Sequence, residues 1–380
     1  MYKKYVVYIA VPEVKKMNLA KQKNKKDNST MSSSISIVIA AHVLDSKLRR
    51  CLNAVSSYST ENLAEVVLVL DGIDRANQFF DNVDSTDLKV ISLDKSYGPA
   101  YARNIGASQA RADVLFFLDS DVEISADTLS KVADHFLSPN APDALIGSYD
   151  DEPAETSVVS RFRNLLHYYT HQQASDEAST FWGACGAIRK DAFVQIGGFN
   201  TDFSKPSVED IELGYRLKLK GYRIKLNKEL QVKHLKKWSF KSMVETDVFL
   251  RAKPWTELLF QYKQWGKRDL NVKNSERAAV FILCMLLISL GFGLFYTYAL
   301  FLSLAFFLIL LVIKRNVYFF LSKHFRQQLP IVIILHWTYL ISGAFGLVLG
   351  LVSHFFKGQK QNSVSFADSS LIYDTTKPKV

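Results

Sequence analysis

Thirty-six consecutive residues, Ala278 to Ile313, carry no charged side chain. That run exceeds one bilayer crossing of about 20 residues and is long enough for two. The spacing predicts a tight hairpin turning near Tyr296-Thr297-Tyr298, with spans over about 278–296 and 297–313. Ile331 to Phe356 is a third apolar run, interrupted only by His336 and His354. A histidine inside such a run is a functional candidate by default, although His354 also suits the interface. Residues 314–328, between the second and third runs, are basic. Three spans place the ends of the chain on opposite sides. The positive-inside preference then puts the 314–328 loop and the preceding soluble part in the cytoplasm, and the 357–380 tail outside. A wholly water-soluble fold is excluded for the last third of the chain.

The first two-thirds read differently. Strands are predicted at 35–41, 64–70 and 89–92, with helices through about Ser57 and over Pro99–Ala110. Residues 114–121, Val-Leu-Phe-Phe-Leu-Asp-Ser-Asp, give a fourth strand dense enough to be buried on both faces. Further strands are predicted near 144–148, 183–188 and 223–226, and a helix over about 208–220 ending at Gly221. This alternation argues for a parallel sheet with helices on both faces. Asp119 and Asp121 fall where the fourth strand ends, and ligands of open α/β sheets bind beyond the carboxyl ends of strands. Two carboxylates there repel each other unless a cation joins them, although Asp-x-Asp is also ordinary cap chemistry.

The 380 residues suffice for one large domain with additions. Of the net charge of +10, about +6 comes from residues 1–34, where eight lysines face only Glu13 and Asp27. Residues 18–34 are polar and predicted disordered, and Met31 is an alternative start. The arm suits an anionic membrane surface, or is a solvated tail; without interleaved aromatics, nucleic acid is not an expected partner. The apolar stretch at 5–11 is too short for a signal peptide. Cys51, Cys185 and Cys284 show neither pairing nor metal spacing, which fits a reducing compartment. Residues 236–277 combine Lys and Arg with Trp and Phe. They read as membrane-surface helices or as helices that dock on the soluble domain.

Six motifs occur in order: Ser-Ile-Val-Ile-Ala-Ala (36–41), Val-Leu-Asp-Gly (69–72), Gly-Pro-Ala-Tyr-Ala-Arg-Asn-Ile-Gly (98–106), Phe-Leu-Asp-Ser-Asp (117–121), Gly-Gly-Phe (197–199) and Glu-Asp (209–210). Together they resemble the family-2 inverting glycosyltransferases, membrane-bound members included. The resemblance implies a GT-A (Rossmann-like) nucleotide-diphospho-sugar transferase domain over 35–235, followed by the interfacial segment 236–277 and the membrane region 278–356. It implies that Asp71 reads the nucleotide base, with Ala40 and Ala41 lying against it as first-strand backbone. His42 and Asp45 stand where the family often has an acidic residue after that strand. Arg103 then pairs with a phosphate or with the carboxylates around Asp119. Asp119 lies nearer the nucleotide sugar. Asp121 is the stronger ligand for Mg²⁺ or Mn²⁺, and His234 is the third candidate ligand.

By the same resemblance, Asp210 is the catalytic base and Glu209 orients the acceptor. The bare alternative is that both simply favour a helix N-terminus. Trp182, Gly183 and Gly186 fall where the family builds the donor-sugar and acceptor pocket. Gln261-Tyr-Lys-Gln264-Trp265 is similar to the Gln-x-x-Arg-Trp of processive polysaccharide synthases, with Gln264 in place of the Arg. The implied activity is transfer of a single sugar from a nucleotide-sugar, a UDP-sugar first, to a lipid or polyprenyl-type acceptor at a bacterial plasma membrane. A short processive synthase and a catalytically inactive membrane scaffold are the alternatives.

Overall fold

The computed structural model describes residues 34–73, 77–80, 87–264 and 274–357. The basic arm up to residue 33, Trp265 and the tail beyond Lys357 lie outside the described residues. The chain forms two compact units. Of the described residues, the first comprises those up to Ser148 together with Asp176–Leu235, and the second comprises Tyr149–Ser175 together with those from Lys236.

In the first unit, β1 (Ile35–Ala41) leads to α1 (Ser46–Ser57), which starts where the Asp45 carboxylate accepts hydrogen bonds from the Lys47 and Leu48 N–H groups. α1 buries Leu48, Cys51, Leu52 and Val55, a helical spacing on one face. β2 (Leu63–Leu70), β3 (Leu88–Ser92), α2 (Pro99–Gln109) and β4 (Val114–Asp119) follow. These four strands pair in parallel in the order β3-β2-β1-β4. The apolar runs are continuous because helices cover both faces of a parallel sheet. Val38, Val67 and Phe116 have no exposed surface.

Beyond β4 the sheet departs from the parallel arrangement expected from the sequence. The chain turns at Ser120-Asp121 into a short β5 (Val122–Ile124), then passes through α3 (Thr128–Leu137) and β6 (Ala144–Tyr149). α4 (Val158–Gln172) belongs to the second unit. The chain then returns through β7 (Glu177–Ala178), β8 (Cys185–Arg189), α5 (Lys190–Gln195), α6 (Glu209–Leu219) and β9 (Ile224–His234). β8 enters from the carboxyl edge of β4, where the Asp119 N–H donates to the Ala184 carbonyl, so it runs antiparallel to β4. β6, β5 and β7 likewise make antiparallel pairs with their neighbours β8 and β9.

α6 lies close over the backbone before β8. A Cβ on Gly214 would stand 2.5 Å from Thr180 Cα. Gly214→Ala should therefore cost about 1–3 kcal/mol of stability, read as a lowered thermal midpoint. An unchanged midpoint would show that the helix can shift.

The second unit is helical. Ser239 and Ser242 cap α7 (Phe240–Glu245), which continues through a π-helical turn at Thr246–Ala252 into α8 (Lys253–Gln261). α9 (Asn274–Gly293), α10 (Thr297–Ile313), α11 (Arg315–His324) and α12 (Leu329–Lys357) complete it. Phe162, Leu165, Trp238, Met243, Leu321, Phe325 and Leu335 form one of its cores, joining α4 to segments 70 and more residues away. Residues 149–175, read from the sequence as part of the nucleotide-sugar domain, belong to this unit for that reason.

Two stretches, Ser275–Gly293 and Arg326–Phe356, are long and apolar enough to cross a membrane; α10 and α11 form a third candidate bent by 72°. The segment 314–328, expected as a basic loop, is largely α11. α9 and α10 are joined by a turn around Leu294–Tyr296 and are linked by the Ser303 and Ser289 hydroxyls at 2.9 Å. His336 is buried with its Nδ1 3.3 Å from the Tyr318 hydroxyl, and His354 stacks on Phe260 at 4.3 Å. Both histidines are thus seated between helices. Gln264 is buried and its side-chain amide donates to the Tyr262 carbonyl at 3.0 Å.

Candidate active site

The carboxyl ends of β1, β2 and β4, the first turn of α2 and the start of α6 gather most of the predicted residues in the first unit. Ala40 pairs in register with Asp119, and the Ala41 carbonyl accepts from the Asp71 N–H at 2.7 Å. Asp71 is buried directly after β2. Its Oδ1 accepts from the Tyr97 N–H at 2.7 Å, and its Oδ2 from the Ser96 hydroxyl and the Gly98 N–H, both at 2.9 Å. Three of about four carboxylate acceptor sites are filled. Asp71 therefore first of all holds the turn that launches α2, and one acceptor site remains for a ligand N–H. Gly98 stands at φ 92°, where a Cβ is strained, which is why the turn uses glycine.

Arg103 is the hub. It is 7% exposed, and its guanidinium bridges the Asp119 carboxylate (Nη2–Oδ1 2.7 Å) and the Glu209 carboxylate (Nη1–Oε1 2.8 Å). The cation also lies 5.4 Å from the centre of the Phe199 ring. Burial by itself would lower the pKa of Arg103, but Asp119 and Glu209 outweigh it and raise it. A Cβ at Gly183 would stand 3.1 Å from the guanidinium carbon, so the absence of a side chain there makes room for the arginine. Asn104, next in sequence, accepts from the Phe199 N–H and donates to the Phe199 carbonyl, both at 2.8 Å. That pair fixes the Gly-Gly-Phe loop. Its sequence signal was the two glycines at 197 and 198, which both adopt positive φ.

The remaining Glu209 oxygen, Oε2, accepts from the Ser207 N–H at 2.8 Å, and the residue is 4% exposed. Glu209, for which the resemblance implies orientation of the acceptor, is turned inward with both carboxylate oxygens engaged. Asp210, one position on, is only partly buried. Its Oδ2 accepts from the Gly183 N–H at 3.1 Å and its Oδ1 from the Ile211 N–H at 2.8 Å. Burial first, and the neighbouring Glu209 charge second, push its carboxyl up to about 6. An aimed, accessible carboxylate with a pKa nearer neutrality is suited to take a proton. Trp182 is 9% exposed, which leaves a sugar only a narrow rim of it. Gly186 sits within β8, where a Cβ would run into the Phe181 ring.

His234 reaches the site through strand pairing: β5 and β9 place it opposite Val122, beside Asp121. Asp121 Oδ2 and His234 Nε2 are 3.9 Å apart. Two ligands of one ion at metal–donor distances near 2.1 Å sit roughly 3–4 Å apart, so this pair fits a shared cation. Asp119 faces Arg103 instead. Among the described residues no group of three His, Cys, Asp or Glu is arranged to hold a metal. The donor set suits a cation that arrives with substrate oxygens, not an all-protein cage. Beneath the strand ends, burial first and then the Asp121 and Asp119 charges push the Cys51 thiol up, which leaves it unreactive.

Residues 36–197 match the family glycosyl transferase family 2, and residues 163–238 match the N-terminal domain of galactosyltransferase. Over residues 36–197 the chain is thus similar to glycosyl transferase family 2 domains, and its fold is GT-A-like. It is 24% identical over 172 residues to a poly-beta-1,6-N-acetyl-D-glucosamine synthase of Staphylococcus aureus, covering 42% of this chain and 40% of the relative. An uncharacterized glycosyltransferase of Haemophilus influenzae is 32% identical over 106 residues, covering 27% of this chain and 42% of the relative. The chain thus spans less than half the length of these curated relatives. In three dimensions it is similar to the Pyrobaculum calidifontis mannosyltransferase PcManGT, solved with GDP-Man and Mn²⁺. The TM-score is 0.51 at 14% identity, over 83% of this chain and 86% of that one.

Proposed function

We propose that this protein is a membrane-anchored, inverting glycosyltransferase. It moves a single sugar from a nucleotide-sugar, with UDP-sugars the first candidates, to a lipid or polyprenyl-type acceptor at the cytoplasmic face of a bacterial plasma membrane. The observation that carries this reading is Asp210: an accessible carboxylate held by two backbone N–H groups beside the buried Arg103–Glu209 pair. In the proposed reaction Asp210 takes the proton of the acceptor hydroxyl as that oxygen attacks the anomeric carbon. The bond from the anomeric carbon to the diphosphate oxygen breaks, and the centre inverts in one displacement. Arg103 keeps Asp119 and Glu209 in place. The free acceptor site on Asp71 is available to a base N–H. Asp121 and His234 would hold a divalent cation, Mn²⁺ being better matched to imidazole than Mg²⁺. When bound, the cation supplies Lewis-acid stabilisation to the leaving diphosphate. The intact Asp119, Asp121 and Asp210 speak against an inactive scaffold.

The name of the Staphylococcus aureus relative favours a second reading, a short processive synthase. The length of the product on a gel separates the two.

The test is the purified full chain with Mn²⁺ or Mg²⁺, a total lipid extract and a panel of UDP-, GDP- and dTDP-sugars. Release of a nucleoside diphosphate with one of them is the expected result; no release with any donor overturns the proposal. Asp121→Asn should weaken Mn²⁺ binding, measured by electron paramagnetic resonance with the nucleotide present, by on the order of tenfold or more. Unchanged binding would remove Asp121 from the cation site.

A further inference from the structure

In the second unit the chain bends between α10 and α11. α10 has 17 residues, about 25 Å of helix, close to the thickness of a bilayer core. It stops at Lys314, which is 4% exposed and pairs with Glu276 in the first turn of α9 at 2.5 Å. The last turn of α10 and the first turn of α9 therefore lie at one level. There the chain bends by 72° into α11, which runs nearly across the direction of α10.

The two faces of α11 differ sharply. Val317, Tyr318 and Leu321 are buried in a core with α4 and α12. Arg161 of α4 donates to the His324 carbonyl at 2.9 Å, satisfying a carbonyl of the last turn, and Phe320 packs on Tyr169 at 5.1 Å. On the outer face Phe319 is 65% exposed, and the Lys323 ammonium stands 4.5 Å over its ring. Arg315, Lys323 and Arg326 are exposed, and residues 314–328 contain no Asp or Glu.

We infer that α11 is a surface helix that docks on anionic phospholipid headgroups, with Phe319 inserted among the acyl chains and Arg315, Lys323 and Arg326 on the phosphates. This rests on the membrane reading above. The chemistry favours lipid over a protein partner. An exposed phenylalanine with Arg315 and Lys323 one turn to either side and no acidic residue on the helix, pinned at the level where two apolar helices end, matches a negatively charged interface. Each basic side chain near such a surface favours anionic lipid by roughly fivefold.

The test uses the full chain with Cys284→Ser and Phe319→Cys, labelled with a fluorophore at position 319. It is reconstituted in phosphatidylcholine vesicles holding equal mole fractions of brominated phosphatidylglycerol or brominated phosphatidylcholine. The label should be quenched at least twofold more by the brominated phosphatidylglycerol. The preference should vanish when Arg315→Gln, Lys323→Gln and Arg326→Gln are combined. Quenching without preference between the two lipids, or no quenching in vesicles that keep the protein through an alkaline carbonate wash, overturns the inference alone. Release of the protein by that wash overturns the membrane reading with it.

Discussion

Asp210→Asn should lower the turnover number by about 10²–10⁴-fold while leaving donor affinity unchanged. Asparagine keeps the shape of the side chain and an oxygen for the Gly183 N–H, but it cannot accept a proton. The loss is therefore that of a positioned general base, which is typically of that size. Because the side chain is partly exposed and makes no ion pair, folding should be unaffected. Nucleoside diphosphate release and calorimetric donor binding, measured on the same preparation, separate the two effects. A variant within tenfold of the parent rate would remove Asp210 from the role of base.

Arg103→Met should be the most damaging substitution for stability. The arginine is the shared counter-charge of Asp119 and of the buried Glu209. Removing one partner of a buried ion pair leaves an uncompensated charge and costs about 3–5 kcal/mol. The thermal midpoint should fall by on the order of 10 °C. Lysine should not rescue it, because a single ammonium cannot reproduce two directed bonds from one planar fork. Combining Arg103→Met with Glu209→Gln should recover part of the loss, since the stranded charge is then gone. Arg103 also favours the charged form of Asp210, so the acidic limb of the rate profile should move to higher pH in Arg103→Met. A midpoint within about 2 °C of the parent would show that the pair is not a structural hub.

The parallel half of the sheet was legible because its strands are mostly apolar, β-branched runs, interrupted only singly, as by Ser36 and Glu65. They include Ile35–Ala41, Leu63–Leu70 and Val114–Asp119. The antiparallel half was not legible, since strand direction depends on where the chain re-enters the sheet, and Ala184 beside Asp119 is a contact across 65 residues of sequence. The packing of α4 with the second unit was not legible for a similar reason. Its apolar face answers Trp238 and Leu321, which lie far along the chain.

At the site, the motifs named the residues but not their directions. Nothing local distinguishes Glu209, turned to Arg103, from Asp210, turned to the Gly183 N–H, although they are adjacent. Asp119 and Asp121 likewise diverge, one to Arg103 and one towards His234, because β4 ends between them and the alternation of side chains ends with it. The sequence left a phosphate and the Asp119 carboxylate both open as partners of Arg103. Glu209 was outside its reach, because that contact spans 106 positions.

The most direct test of the central claim is the pH dependence of nucleoside diphosphate release at saturating donor. With Asp210 as the base and its carboxyl near 6, the rate should rise tenfold per pH unit below about 6 and level off above it, because only the ionised form can take the proton. In Asp210→Asn the residual rate should lose that limb. A parent profile flat down to pH 4.5, or an acidic limb that survives in Asp210→Asn, would contradict the assignment.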